Sequence, residues 1–213
     1  MPGLLRWLLL AVALTTLPVG AGVLVLGGED TATTTSDQAA PSYSSTPLSD
    51  YDTSVVTLSR APFCDRLPEE AAAEALGGDA GPTAAYANGE SAEMAPGLED
   101  VAHEYGCRIE GRRGAEVRAW LFAPPVTRSR AAELVDEASQ RPACTRPTTA
   151  PAYGAPSVAL VCPSGDRRSA SFRGLFGDAW LACSVAAPAS LGEAELLDRA
   201  GRWCVAVAQA AAG

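Results

Sequence analysis

The chain has 213 residues and a formal net charge of −9, from 16 basic and 25 acidic side chains. That balance argues against a nucleic-acid partner, which needs clustered positive charge to displace counterions, and against docking on anionic lipid headgroups. Every basic residue is arginine, Ile109 is the only isoleucine and Asn88 the only asparagine. Such a skew records a GC-rich genome and carries no functional information.

Trp7 to Leu26 is apolar and uncharged. As a helix rising about 1.5 Å per residue, such a stretch matches a bilayer core of about 30 Å. Arg6 precedes it, Glu29 and Asp30 follow, and the next basic residue is Arg60. By the positive-inside bias, residues 1–6 are expected in the cytoplasm, 7–28 as a transmembrane anchor and the remainder outside. The competing reading is a secretory signal, with Leu4–Leu17 as its apolar region, Pro18 as breaker and cleavage near Ala21. Against it, Gly22–Leu26 prolongs the apolar run past that site. No cysteine lies near the end of the stretch, which excludes a lipid-modified lipoprotein. Both readings export the same domain.

Residues 29–59 are dominated by Ser and Thr, with Pro41 and Pro47 interspersed, and read as a disordered stalk. An extracytoplasmic domain is expected over 60–213. Leu67-Pro68-Glu69-Glu70 starts a first helix that Gly77-Gly78 ends. Gly81–Gly97 reads as a polar loop. Tyr105, Cys107 and Ile109 alternate with polar neighbours, as a strand requires. In the next strand Val117, Ala119, Leu121 and Ala123 point one way, while Glu116, Arg118, Trp120 and Phe122 point the other. Thr127 caps a second helix carrying Ala131, Leu134, Val135 and Ala138 on one face. Strands at Ser157–Cys162, Arg168–Phe172 and Asp178–Ala186 follow. In the last of these Leu181, Cys183 and Val185 oppose Trp180, Ala182 and Ser184. A capping box of Ser190 and Glu193 opens the final helix. The order α-β-β-α-β-β-β-α predicts a mixed α/β (α+β) fold: a largely antiparallel sheet of about five strands, with helices packed on it.

Cys64, Cys107, Cys144, Cys162, Cys183 and Cys204 all follow the apolar segment, which implies an oxidising compartment and disulfides. Fifteen pairings are possible in principle. Nearest-neighbour pairing suits the elements best: Cys64 with Cys107, Cys144 with Cys162, and Cys183 with Cys204. A zinc site is disfavoured by the lack of Cys-x2-Cys spacing and by the single histidine.

No pattern carries catalysis. His103, the sole histidine, has no Gly-x-Ser-x-Gly elbow to serve. Asp100, His103 and Glu104 read as a solvated loop rather than a metal site. No phosphate loop, dinucleotide fingerprint or Cys-x-x-Cys pair occurs, so neither cofactor nor metal is expected. What remains is aromatic. Arg118, Trp120 and Phe122 share one strand face, and Trp180 lies opposite the core face of its own strand. If one side of the sheet is bare, these four residues form a surface suited to stacking on a sugar or gripping a partner. If helices cover both sides, the rings are ordinary core.

Several segments carry a resemblance: Ala61-Pro62-Phe63-Cys64-Asp65, Ala75-Leu76-Gly77, Tyr105-Gly106-Cys107-Arg108, Phe176-Gly177-Asp178-Ala179-Trp180 and Gly201-Arg202-Trp203-Cys204. The chain resembles actinobacterial membrane-anchored or secreted envelope proteins of unknown function. More distantly it is similar to mycobacterial envelope lipoproteins and to the extracellular sensor domain of a receptor-type serine/threonine kinase. The resemblance implies an antiparallel sheet with helices and disulfides and a place in the envelope; the binding of ligands or partners belongs to those groups and does not carry over to this chain. The chain departs from these groups in having neither a lipobox cysteine nor a kinase domain. The expectation is a non-catalytic, sensor-like binding module of the cell envelope, held to the membrane by its N-terminal helix and facing an envelope ligand or protein. The alternatives are an envelope hydrolase using His103, and a head domain with no ligand.

Overall fold

The computed structural model describes residues 43–95 and 97–212. The apolar segment 7–28 and residues 29–42 of the expected stalk lie outside them. Among the described residues no helix is long and apolar enough to cross a membrane.

Among the described residues, eight strands and three α-helices follow in chain order. They are α1 (Glu69–Leu76), β1 (Thr83–Tyr86), β2 (Ser91–Ala95), β3 (Leu98–Val101), β4 (Glu104–Glu110), β5 (Glu116–Phe122), α2 (Arg128–Ser139), β6 (Ser157–Ser164), β7 (Arg167–Phe176), β8 (Ala179–Pro188) and α3 (Glu193–Ala212). Six strands form one antiparallel sheet in the order β1-β4-β5-β8-β7-β6, and β2 pairs with β3 as a separate hairpin. The fold is therefore a disulfide-stapled α+β domain. The five expected strands are present as β4 to β8. The segment expected as loop, Gly81–Gly97, instead holds β1 and β2. Both β1 and β3 are largely exposed along their length, so neither has a buried face to write an apolar alternation into the sequence.

Strand periodicity assigns the two faces. In β5, Val117, Ala119 and Leu121 are buried while Glu116, Arg118, Trp120 and Phe122 between them are half-exposed. The inner face continues through Cys107 and Ile109 of β4, Leu181, Cys183 and Val185 of β8, and Ala170 and Phe172 of β7. Helix α3 lies on it with Leu196, Ala200, Trp203, Cys204, Val207 and Ala211 all fully buried, the i, i+3, i+4 stripe of a core helix. Helix α1 packs there too, through Ala72 and Ala75.

The helix ends follow local rules. Thr127 Oγ1 accepts a hydrogen bond from Arg130 N at 3.2 Å to cap α2. Gly77 closes α1 in the left-handed conformation, with φ of 69°. Helix α3 differs from expectation: it begins at Glu193, three residues beyond Ser190, so the anticipated capping box does not open it.

The packed unit begins at Tyr43, earlier than the boundary expected at residue 60. Over 43–59 the chain is not a stalk, because Leu48 and Leu58 are buried in the main core. The Leu48 side chain sits over Gly201, where a Cβ would approach it to 3.1 Å. Ser59 N and Arg66 Nε donate to the carbonyls of Ala211 and Ala210, at 2.9 and 2.7 Å, satisfying acceptors that the last turn of α3 leaves open. Ser and Thr content alone hid this strap.

The disulfides join Cys64 to Cys107, Cys144 to Cys162 and Cys183 to Cys204, with Cα separations of 5.4, 4.2 and 5.6 Å. The nearest-neighbour pairing holds. Two of the bridges tie the inner face to its covering segments, and the third pins the segment after α2 to β6.

Candidate functional site

Among the described residues, the outer face of the sheet is covered by a helix at one end only. Helix α2 lies over Leu175 and Trp180, with Val126 and Ala131 completing that small core and Phe122 packed half-buried at its edge. Val158 and Leu160 of β6 pack under Ala138 of the same helix. Trp180 is 2 % exposed and belongs to this core, so it presents no ring to solvent. Of the four candidate surface residues, the structure keeps Arg118 and Trp120 together on the open part of the face. It draws Phe122 and Trp180 beneath α2.

Register lays out the open part in rows. Arg108, Arg118, Ser184 and Ser171 stand side by side across β4, β5, β8 and β7. The next row is Gly106, Trp120, Ala182 and Arg173. Trp120 thus has a small residue on each side, and each gap is used. The Tyr86 ring lies over Gly106, in the space that a Cβ there would occupy. The Arg173 guanidinium reaches across Ala182 to within 5.7 Å of the Trp120 ring centroid. From the opposite side, Trp203 Nε1 of α3 donates to the Arg118 carbonyl at 3.0 Å and fixes this stretch of β5.

Trp120 and Arg118 line two adjoining hollows that make one trough. One hollow, about 550 Å³, is walled by Ser91, Ala92 and Glu93 of the β2–β3 hairpin and by Tyr86. Here charges of both signs meet. Arg118 Nη2 pairs with Glu116 Oε2 at 3.1 Å, and Arg108 Nη2 with Glu110 Oε1 at 3.0 Å. Tyr86 donates its hydroxyl to Glu104 Oε1 at 2.6 Å. Burial holds the Glu104 carboxyl above its usual range, and the Tyr86 hydrogen bond offsets only part of that rise.

The second hollow, about 280 Å³, is different in kind. Arg141, Arg167, Arg168 and Arg173 line it, and among the described residues none of the four is in an ion pair. Arg167 spends one donor on the Gly114 carbonyl, at 2.9 Å. Glu116 is the only acid in the lining, and it is already paired with Arg118. Burial, reinforced by the Arg141 charge, pushes the Arg173 guanidinium down to about 10. Sequence reasoning stopped the strand at Phe172 and so missed Arg173. The signal was present, because Arg167, Ser169, Ser171 and Arg173 alternate with Ala170 and Phe172.

His103 sits exposed between β3 and β4, its carbonyl accepting from Ala123 N at 3.0 Å, and it lines neither hollow. Asp100 is exposed on β3, paired in register with Ala92, and Glu104 is engaged by Tyr86. Among the described residues no three His, Cys, Asp or Glu side chains are grouped to hold a metal. What the trough presents is the half-buried Trp120 ring, arginine side chains and serine hydroxyls.

Comparison with known proteins gives no matching family model and no matching curated sequence.

Proposed function

We propose that this chain is a non-catalytic, sensor-like binding module of a bacterial cell envelope, and that it takes its ligand in the trough on the outer face of the sheet. The observation that carries the reading is the placement of Trp120. The ring is half-buried at the junction of the two hollows, flanked by Gly106 and Ala182, with Arg118 beside it. A ring held rigidly between strands loses little entropy on stacking against a ligand, which is why aromatic and arginine side chains dominate recognition surfaces. Three disulfides, with no free cysteine among the described residues, suit an oxidising compartment outside the cytoplasm. The domain would hang from a single N-terminal membrane helix, or be released by cleavage near Ala21.

The test is a titration of the oxidised full-length protein with solubilised envelope glycan and lipid fractions, following tryptophan emission. A change that disappears in Trp120→Phe, with the melting temperature of that variant unaltered, supports the reading. If no fraction perturbs Trp120, the proposal fails.

A further inference from the structure

We propose that the basic hollow of the trough is a binding site for a tetrahedral oxyanion, a phosphate or sulfate group. The inference rests on the reading of the outer face as a binding surface and gives that surface a ligand chemistry. A chain of net charge −9 has acids to spare, yet four arginines converge on one hollow, and among the described residues the acids that line it and the hollow beside it, Glu116 and Glu137, are already paired with Arg118 and Arg130. Uncompensated like charges at short range repel, so such a cluster persists where a counter-charge arrives from outside. Arg173 states the case most clearly. It is largely buried, its Nε has no hydrogen-bond partner among the described residues, and its guanidinium lies 5.7 Å from the centroid of the Trp120 ring. A buried polar atom without a partner is rare in folded proteins and calls for a specific explanation.

The donor set selects the anion. Guanidinium groups of Arg141 and Arg173 come from two different parts of the chain, the segment that follows α2 and strand β7. Ser171, only 7 % exposed, and Ser184 stand beside them as hydroxyl donors. Several cations and hydroxyls around one point suit an ion with three or more acceptor oxygens and a charge near −2 better than a monovalent, planar carboxylate. The anion would neutralise the Arg141–Arg173 repulsion and give the Arg173 donors acceptors. Trp120, within cation–π range of Arg173, puts a stacking surface next to the anion, where an attached sugar ring would lie.

The probes are inorganic phosphate, inorganic sulfate, glucose 6-phosphate and glucose, added to the oxidised full-length protein at constant ionic strength so that general screening does not change. Melting temperature and Trp120 emission are the readouts. Phosphate, sulfate and glucose 6-phosphate are each expected to raise the melting temperature in a saturable way, since a ligand that binds only the folded state stabilises it. Glucose alone should not. Arg173→Met should abolish the shift, and Arg141→Gln, on an exposed side chain that folding does not need, should weaken the apparent affinity about tenfold. Tighter binding of glucose 6-phosphate than of inorganic phosphate, lost in Trp120→Ala, identifies an ester on a sugar as the source; equal binding identifies the free ion. Absence of a saturable shift with any of the three anions, or an equal shift in Arg173→Met and Arg141→Gln, overturns the proposal. Should an envelope fraction still perturb Trp120 in that event, the binding-module reading stands without the anion.

Discussion

The Arg173 guanidinium lies 5.7 Å from the ring centroid of Trp120, one strand removed from it across Ala182. No carboxylate completes the contact among the described residues, and burial works against the charged form. A cation kept in such a place is a liability to the fold. Replacing an unpaired buried charge by an apolar side chain of similar length is often neutral or stabilising. Arg173→Met is therefore expected to leave the melting temperature unchanged or higher in anion-free buffer. A clear loss of stability would mean that Arg173 is a structural strut and not a ligand contact.

The strap formed by residues 43–59 is part of the domain, and its removal should be felt. Leu48 is 4 % exposed, over Gly201. Leu48→Ala is expected to cost about 2–4 kcal/mol, the range for emptying a buried leucine site, as read by urea unfolding. A chain starting at Arg60 would also lose the Ser59 bond to the end of α3 and should be markedly less stable than one starting at Tyr43. Equal stability of the two would return residues 43–59 to the stalk.

The three disulfides differ in access. Cys183 and Cys204 are fully buried, Cys107 is 2 % exposed with Cys64 partly open, and Cys144 and Cys162 are both half-buried. Thiol exchange needs direct approach of the attacking thiolate. Mild reductant followed by alkylation and mass mapping should label Cys144 and Cys162 first, and Cys183 and Cys204 only on unfolding. Removing the core pair, which closes a separation of 21 residues, is expected to cost about 3 kcal/mol.

Glu104 sets a pH dependence of definite sign. Its carboxyl is raised in the folded state, so folding favours the protonated form. The associated stability is present at pH below the unfolded value and is lost as pH rises through the folded one. Glu104→Gln keeps an acceptor for Tyr86 without the charge. It should equal or exceed the native chain in melting temperature at pH 7, and the advantage should vanish near pH 4. A variant less stable than the native chain at pH 7 would show that the charge itself is needed at the Tyr86 contact.

Much of the fold was legible because periodicity records burial. Val117, Ala119 and Leu121 named the inner face of β5, and the same alternation in β8 placed Cys183 within reach of Cys204 on α3. Strands without a buried face left no such mark: β1 and β3 are largely exposed along their length, Leu98 and Val101 included, and are held by backbone pairing. The strap was hidden for a different reason, since two leucines in a Ser/Thr-rich stretch suffice to dock it. Half of the candidate site was readable. Arg118 and Trp120 follow from strand parity, but which rings α2 covers depends on where a helix crosses the sheet, and Trp180 and Phe122 lie beneath it. The meeting of Arg141 and Arg173 belongs to tertiary geometry and has no local signature.

The most direct test of the outer face as an open binding surface is acrylamide quenching of tryptophan fluorescence in the oxidised full-length protein, on a Trp7→Phe background. Trp180 and Trp203 are 2 % and 0 % exposed, so the readily quenched emission should come from Trp120 and be lost in Trp120→Phe. Unchanged quenching in that variant, or a quenched component lost instead in Trp180→Phe, would mean that the face around Trp120 is closed and that the proposed surface does not exist.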